Sequence, residues 1–335
     1  MLTDFRGWSP LVEDRGTAGA AKSMRAYERV VRENLPRPSA EVDHVADGFH
    51  LSFASPSEAL RTALAIADAL AKHNARHPDL HLPIGFGIDA GEPIRRQGRY
   101  VGAAPVLASR LASHASGGQV LLSEGVATLL KSAKLGPFRD LGAWKPPGIG
   151  PVRIFQARSP DLPSDVDERE TTLAAVLHTD IEGHTARAAA LGDRAWREVL
   201  ERHHAIVREA LRRHGGIEHD TAGDGFYTTF PTPSQAISCA IEIRDRVHRE
   251  LGISVRAGVH VGECEVAAGK IGGLSVTIGA RVRDRAAGGE IFVSQTARDA
   301  LMGRGFHFAE RGSTALKGVP GDWAIYAVEA KPSEA

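Results

Sequence analysis

The stretch EHDTAGDGFYTTF (218–230) has a counterpart far upstream in the same chain, EVDHVADGFHLSF (41–53). Each stretch carries an acidic residue four positions before an Asp-Gly-Phe and ends on a second phenylalanine. Turn residues between two short apolar runs are typical of a β-hairpin, and the later stretch has its predicted turn at Gly223-Asp224-Gly225. Because the hairpin and its aspartate both occur twice, they indicate an internal repeat.

Three further segments recur in the same order along the chain. They are LTDFRGWS (2–9) with HTDIEGHT (178–185), YVGAAPVLASRLASHASGGQVLLSE (100–124) with IGGLSVTIGARVRDRAAGGEIFVSQ (271–295), and LGAWKPPGIGPVRIFQA (141–157) with TALKGVPGDWAIYAV (314–328). Matched positions are shifted by 171 to 177 residues throughout. Four matches in order with so little drift predict a duplicated domain.

The segment between the two copies, RSPDLPSDVDERE (158–170), is polar and holds two prolines. Such a composition favours a linker over a helix or a strand. We therefore predict a first domain at 1–157, a linker at 158–170 and a second domain at 171–330.

Within each copy the pattern predicts a strand, a helix, a hairpin, a helix and a strand. In the second copy, TTLAAVLHTD (171–180) is an apolar strand that ends on an aspartate. It is followed by DRAWREVLERHHAIVREALRRHGG (193–216), with apolar residues at helical spacing before a glycine pair. This order predicts an α+β fold with the helices on one face of a sheet.

The composition is that of a globular protein, with 42% hydrophobic and 24% charged residues among 335. Basic and acidic residues number 41 each, so no excess of positive charge favours nucleic acid or an anionic membrane. Cys239 and Cys264 are too few for a disulfide framework or a zinc site, and we expect both to be buried. No apolar run approaches the ~18 residues of a membrane span. We expect a cytoplasmic protein without membrane segments.

Two aspartates in each copy are candidate metal ligands. Asp180 ends a predicted strand and Asp224 lies in the hairpin turn, and Asp4 and Asp47 have nearly the same spacing in the first copy. If the strands are neighbours, the carboxylates converge at one edge, where their repulsion favours a divalent cation. The segment after the first aspartate begins a helix whose N–H groups can bind phosphate. The alternative is that each aspartate only caps a helix or a turn, but the repeated spacing favours metal and polyphosphate.

The sequence resembles the class III nucleotidyl cyclase (adenylate/guanylate cyclase) catalytic domain. The second copy carries the resemblance in TDIEGHT, AGDGF, SVTIGARV and ALKGVPG, and the first copy, more weakly, in TDFRGWS, VADGF, PVLASRLA and WKPPG. The resemblance implies two ferredoxin-like (palm-type) domains that form a head-to-tail pair with two composite sites. Here both partners lie on one chain, so we expect a monomer that is an intramolecular pseudo-dimer.

The resemblance also implies the roles of individual residues. In such a site one partner supplies two aspartates that bind Mg²⁺ or Mn²⁺, and the other supplies an arginine for the transition state and a lysine for phosphate. Site one would combine Asp4 and Asp47 with Arg281 and Lys317. Site two would combine Asp180 and Asp224 with Arg110 and Lys145. The implied reaction is attack of the ribose 3′-hydroxyl of a nucleoside triphosphate on the α-phosphorus, with release of pyrophosphate and formation of a cyclic nucleotide.

The chain departs from the family pattern at the positions that read the base. The family's lysine is replaced by Asp220 and by Asp43, and its paired aspartate is replaced by Lys270 and by Arg99. An ionised aspartate cannot donate a hydrogen bond to adenine N1. A carboxylate beside a cation can instead read guanine, or uracil through N3–H and O4.

Two alternatives to ordinary catalysis follow from these changes. Asp220 with Lys270, and Asp43 with Arg99, can form salt bridges that fill the base pocket, which would leave a pseudo-cyclase that binds a nucleotide as a sensor. The family's transition-state asparagine is replaced by Thr277, which has a hydroxyl, and by Val106, which has none. Site one is therefore the better candidate for chemistry, and site two is the candidate for a regulatory or inactive site.

Overall fold

The computed structural model describes residues 1–36, 41–45, 47–96, 99–158, 171–267 and 270–329. The chain divides into two compact units, Met1–Glu168 and Arg169–Ala335. Apart from Arg158, the predicted linker 158–170 lies outside the described residues.

The first unit is built around a seven-stranded sheet with the order β2-β3-β1-β4-β7-β9-β8, and β5 and β6 form a separate hairpin. Its elements are β1 Leu2–Phe5, α1 Trp8–Glu33, β2 Glu41–Val45, β3 Gly48–Ser52, α2 Pro56–Arg76, β4 Ile84–Ile88, β5 Ile94–Arg96, β6 Arg99–Val101, α3 Ala103–His114, β7 Val120–Ser123, α4 Glu124–Ser132, β8 Arg139–Trp144 and β9 Val152–Ala157.

The second unit contains an eight-stranded sheet with the order β11-β12-β10-β13-β15-β17-β16, and β14 pairs with β13 off this path. Its elements are β10 Thr171–Ile181, α5 His184–Leu191, α6 Asp193–His214, β11 Ile217–Ala222, β12 Gly225–Phe230, α7 Pro233–Leu251, β13 Val255–Ala267, β14 Lys270–Gly272, α8 Leu274–Arg283, β15 Ile291–Ser294, α9 Gln295–Ala300, β16 His307–Ala315 and β17 Asp322–Glu329.

The two sheets have the same order of corresponding strands. In the first unit β4 and β7 are parallel and the other neighbours are antiparallel, and in the second unit β13 and β15 are the parallel pair. Both units are therefore α+β with a mixed sheet, in agreement with the predicted fold class. The repeated hairpins are present as β2-β3 and β11-β12.

The prediction that the helices lie on one face of the sheet is wrong, because α3 packs on the opposite face from α2 and α4. The strand β7 demonstrates this, since its side chains alternate between two cores. Val120 and Leu122 belong to the core formed with α2 and α4, whereas Leu121 packs with Leu107 and Leu111 of α3. A strand that is buried at every position, as β7 and β15 are, lies between two layers.

Local sequence explains where the main helices begin and end. The hydroxyl of Ser55 accepts the N–H of Glu58 at the start of α2, and Thr232 accepts the N–H of Gln235 at the start of α7. Each of these caps is followed by a proline, which is favourable at the first helical position. The helix α6 ends at Gly215, whose positive φ of 70° closes the last turn.

Both cysteines are buried and free, as predicted. Within the described residues, the helices are too short or too polar to cross a membrane.

Candidate active site

The second unit brings Asp180 and Asp224 together at one edge of its sheet. The neighbouring strands β10 and β12 are antiparallel, with Thr179 opposite Phe226. The end of β10 therefore meets the turn that precedes β12. Asp224 Oδ2 accepts the backbone N–H of Ile181 at 2.7 Å, which fixes this carboxylate beside the strand that carries Asp180.

The environment of Asp224 disfavours its charged form. Its side chain is buried, with 8% of the residue exposed. Burial and the neighbouring carboxylate of Asp180 raise the pKa of Asp224, and the hydrogen bond from Ile181 opposes this shift. A bound cation would relieve this repulsion.

An arginine and a histidine lie against the carboxylates of this pair. Arg256, directly opposite Asp180 on β13, donates from Nε and Nη2 to Asp180 Oδ2 at 3.0 and 2.5 Å. His184, the first residue of α5, has its Nδ1 2.9 Å from Asp224 Oδ1.

In the first unit, Asp4 lies at the end of β1 and Asp47 lies in the turn before β3, and these two strands are antiparallel neighbours. Asp4 Oδ1 accepts the hydroxyl of Ser113 at 3.1 Å, and Arg6 Nη1 donates to Asp4 Oδ2 at 3.1 Å. The topology therefore brings Asp4 and Asp47 to the same edge, but the charged partner of Asp4 is Arg6, in the turn directly after its own strand.

Buried aromatic and hydroxyl groups support the first acidic pair. Tyr27 of α1 donates its hydroxyl to Thr3 Oγ1, which also accepts the backbone N–H of Phe49 at 2.8 Å. These bonds tie β1, β3 and α1 together next to Asp4. In the second unit the position of Tyr27 is taken by His203, which is fully buried, and burial lowers its pKa to about 4.

The donor set suits a hard divalent cation. Within the described residues no group of three or more His, Cys, Asp or Glu side chains is arranged to hold a metal ion. Mg²⁺ is typically bound by one or two carboxylates together with substrate phosphates and water. A pair of carboxylates at a sheet edge is therefore the donor set expected for a metal that arrives with a nucleotide.

The helix α8 and the loop after β16 bring together Thr277, Arg281 and Lys317. Thr277 and Arg281 are four residues apart and share one face of α8. Arg281 Nε donates to the carbonyl oxygen of Lys317 at 3.1 Å, and Arg281 Nη1 pairs with Asp284 at 3.1 Å. Burial alone would raise the pKa of Asp284, but Arg283 and Arg281 bring it below its usual value.

The corresponding residues of the first unit are arranged differently. Val106 is 46% exposed, and Arg110 and Lys145 are exposed. The ring of Trp144, next to Lys145, stacks on His114 of α3 with centroids 4.3 Å apart. The first unit therefore presents an apolar side chain and two cations at the positions of Thr277, Arg281 and Lys317.

The base-reading positions also differ between the units. In the first unit Arg99 Nε lies 3.5 Å from Asp43 Oδ2. These residues therefore form the ion pair that the sequence predicts as one alternative. In the second unit Asp220 is exposed and lies opposite Tyr227, and its Oδ1 accepts the N–H of Thr221. Lys270 is the first residue of β14, and its side chain lies outside the part of the structure that is described.

Sequence reasoning missed the residues that contact the acidic pairs, namely Arg256, His184, Arg6 and Ser113. Arg256 is identified only by the strand register that sets it opposite Asp180, 76 positions earlier in the chain. His184 and Arg6 lie within a few residues of the aspartates, and their proximity in sequence was the available signal.

Comparison with known proteins finds similarity that lies mainly in the second unit. The family model of the adenylate and guanylate cyclase catalytic domain matches residues 166–330. Receptor-type adenylate cyclase B of Leishmania donovani is 26% identical over 220 residues, which cover 51% of this chain and 16% of that protein. An uncharacterized protein of Mycobacterium tuberculosis is 35% identical over 83 residues, covering 24% of this chain and 32% of that protein. Thus the chain spans only a small part of the receptor-type relative.

Among solved structures, the adenylyl cyclase CyaB from P. aeruginosa aligns with a TM-score of 0.45 and 19% identity, covering 50% of this chain and 100% of that chain.

Proposed function

We propose that this chain is a nucleotidyl cyclase that converts a nucleoside triphosphate to a 3′,5′-cyclic nucleotide and pyrophosphate, and the match of its second unit to the adenylate and guanylate cyclase catalytic domain supports this. The observation that carries the proposal is that a pair of aspartates converges at the same sheet edge in each unit, Asp180 with Asp224 and Asp4 with Asp47. The first unit, whose sheet has the same strand order, is proposed to be a second and divergent cyclase homology domain.

The proposed reaction assigns a task to each group of residues. The aspartate pairs would hold Mg²⁺ or Mn²⁺, which would lower the pKa of the ribose 3′-hydroxyl and neutralise charge on the triphosphate. Arg281 stabilises the charge that grows on the α-phosphate, and Lys317 binds the departing pyrophosphate. The 3′-oxygen forms a bond to the α-phosphorus, the bond from that phosphorus to the pyrophosphate oxygen breaks, and the hydroxyl proton leaves to solvent.

We propose that the base is guanine or uracil. Asp220 is exposed and its Oδ1 accepts the N–H of Thr221, so the carboxylate keeps lone pairs that can accept N–H donors of a base edge. Adenine offers an acceptor at N1, which a carboxylate would repel. A mismatch of this kind at a polar site costs about 10⁴ in selectivity.

The two acidic pairs are proposed to be unequal. Site one is proposed to be the active one. Its metal ligands would be Asp4 and Asp47, and its other groups would be Arg281, Thr277 and Lys317. Site two is proposed to have the lower activity, because Val106 lacks a hydroxyl and Asp43 is already paired with Arg99.

That ion pair also supports a second candidate function, a pseudo-cyclase that binds a nucleotide as a sensor. Because Arg99 is paired with Asp43, the first unit lacks a free charged group at these two positions that could bind a base. Because the exposed Val106 is apolar, it also lacks a polar group for the transition state at that position. Under this alternative the protein binds a nucleotide with metal but releases no pyrophosphate.

The two functions are separated by one assay. The purified 335-residue chain is incubated with ATP, GTP, CTP or UTP and Mn²⁺, and products are resolved by chromatography and mass spectrometry. Cyclic product from GTP or UTP supports the cyclase, with Asp47→Ala as the inactive control. Saturable nucleotide binding with no pyrophosphate release supports the sensor, and the absence of both binding and product contradicts both functions.

A further inference from the structure

We propose that Arg256 is an internal counter-ion of the second acidic pair, which competes with a divalent cation for Asp180. The inference rests on the proposed function, since it takes Asp180 and Asp224 as metal ligands. It assigns to Arg256 a control over the metal affinity of the second pair.

The contact is built into the sheet. Asp180 and Arg256 are directly opposite on antiparallel strands, so their side chains leave the same face of the sheet close together. Both Nε and Nη2 of Arg256 donate to one oxygen, Asp180 Oδ2. The side chains are only 31% and 20% exposed, so water screens this pair less than a surface ion pair.

The other carboxylate of the pair is also engaged. Asp224 Oδ2 accepts the N–H of Ile181, and Asp224 Oδ1 lies 2.9 Å from His184 Nδ1. Two of the four carboxylate oxygens therefore accept hydrogen bonds from protein donors, and a third has the imidazole of His184 nearby. A metal that ligates Asp180 through Oδ2 has to replace Arg256, and one that ligates it through Oδ1 lies close to the same positive charge.

The first unit cannot make the corresponding contact. The residue opposite Asp4 is Gly85, and a Cβ built there would lie 2.5 Å from the carbonyl oxygen of Ala112 in α3. Backbone at that distance excludes any side chain, so β4 cannot carry an arginine at this position. The cation beside Asp4 is instead Arg6, which also donates to the carbonyl oxygen of Ser113 and has a 42% exposed side chain.

One consequence follows for metal binding. Removing the arginine is expected to tighten binding of a divalent cation at the second pair about tenfold, because the cation no longer competes with an ion pair that water screens only in part.

The test uses the 335-residue chain with the substitutions Asp4→Asn and Asp47→Asn, so that a change in Mn²⁺ binding can be assigned to the second pair. Mn²⁺ alone is titrated without nucleotide, and free Mn²⁺ is measured by electron paramagnetic resonance. Arg256→Gln in this background is expected to lower the Kd for Mn²⁺ about tenfold, and Arg256→Lys, which keeps a single charge, to lower it less. Arg244→Gln, which removes a cation paired with Asp245 on α7, is the matched control and is expected to leave the Kd unchanged.

The outcomes separate this inference from the proposed function. If Mn²⁺ binding is the same after Asp180→Asn and Asp224→Asn, the second pair is not a metal site and the proposed function fails there. If those substitutions abolish binding but Arg256→Gln leaves the Kd unchanged or raises it, the arginine supports the ligands and the counter-ion inference alone is wrong. Thermal melts without metal identify unfolded variants, and Arg256→Lys decides the question if Arg256→Gln does not fold.

Discussion

Asp180 and Arg256 form a paired contact across β10 and β13, with the guanidinium on a single carboxylate oxygen of the aspartate. The corresponding residues of the first unit are Asp4 and Gly85, between which no such contact is possible. Two halves of one chain therefore keep the same aspartates at the same sheet edge but give them different partners.

Substitution of the two acidic pairs is expected to have unequal effects on turnover. Asp47→Ala removes a ligand of the pair proposed to serve Arg281 and Lys317, and it should abolish cyclic product. Asp224→Ala should leave most of the activity, because the pair it disrupts is associated with the ion-paired Asp43 and with Val106. Initial rates of pyrophosphate release measure both variants. Equal losses would contradict the proposed asymmetry.

Asp220→Lys is expected to change the preferred base. The substitution replaces an acceptor with a donor, so recognition of adenine N1 should improve and recognition of guanine N1–H should be lost. We expect the ratio of kcat/KM for GTP to that for ATP to fall by at least about 10². His219→Ala, at the neighbouring bulge of β11, is a control for disturbance of the strand. An unchanged ratio in Asp220→Lys would remove this residue from base reading.

The second unit is expected to lose stability in acid because of His260. This side chain is fully buried beside Ser294, Thr296 and Trp323, and burial lowers its pKa to about 3 from 6.5. The folded state keeps the ring neutral while the unfolded state takes up a proton, so the free energy of unfolding falls as the pH drops from 6.5 towards 3. One such group contributes a slope of about 1.4 kcal/mol per pH unit.

The measurement for His260 is urea unfolding at several pH values between 4 and 7.5. His260→Asn removes the titrating group, so its unfolding free energy should depend less steeply on pH, whatever its value at neutral pH. A variant with the same slope as the parent protein would show that another group causes the acid sensitivity.

Gly258→Ala is expected to destabilise the second unit and displace α8. A Cβ at this position would lie 2.2 Å from the backbone nitrogen of Arg283, so the helix has to move away from β13. We expect a loss of about 1–3 kcal/mol and a fall in Tm of several degrees. Gly272→Ala is the matched control, since no atom lies within 4 Å of its added Cβ. Equal Tm values for the two variants would contradict the close packing of α8.

Much of the fold was predictable because its signals are local or repeated. The apolar spacing of Asp193–His214 predicts a helix, and Gly215 beyond it ends that helix at a positive φ. The Asp-Gly turns predict both hairpins. The shared strand order of the two sheets follows the repeat detected in the sequence. The second face of the sheet was missed, although the unbroken apolar run of β7 was the available signal.

What the sequence by itself determined is the set of elements and the aspartates that follow matching strands and turns in the two units, since periodicity and turn chemistry are read from neighbouring positions. Only the tertiary structure decided which groups meet those acids. Arg256 reaches Asp180 because strand register joins residues far apart in sequence. Gly85 excludes a partner for Asp4 because the backbone of α3 occupies the space that a side chain would need.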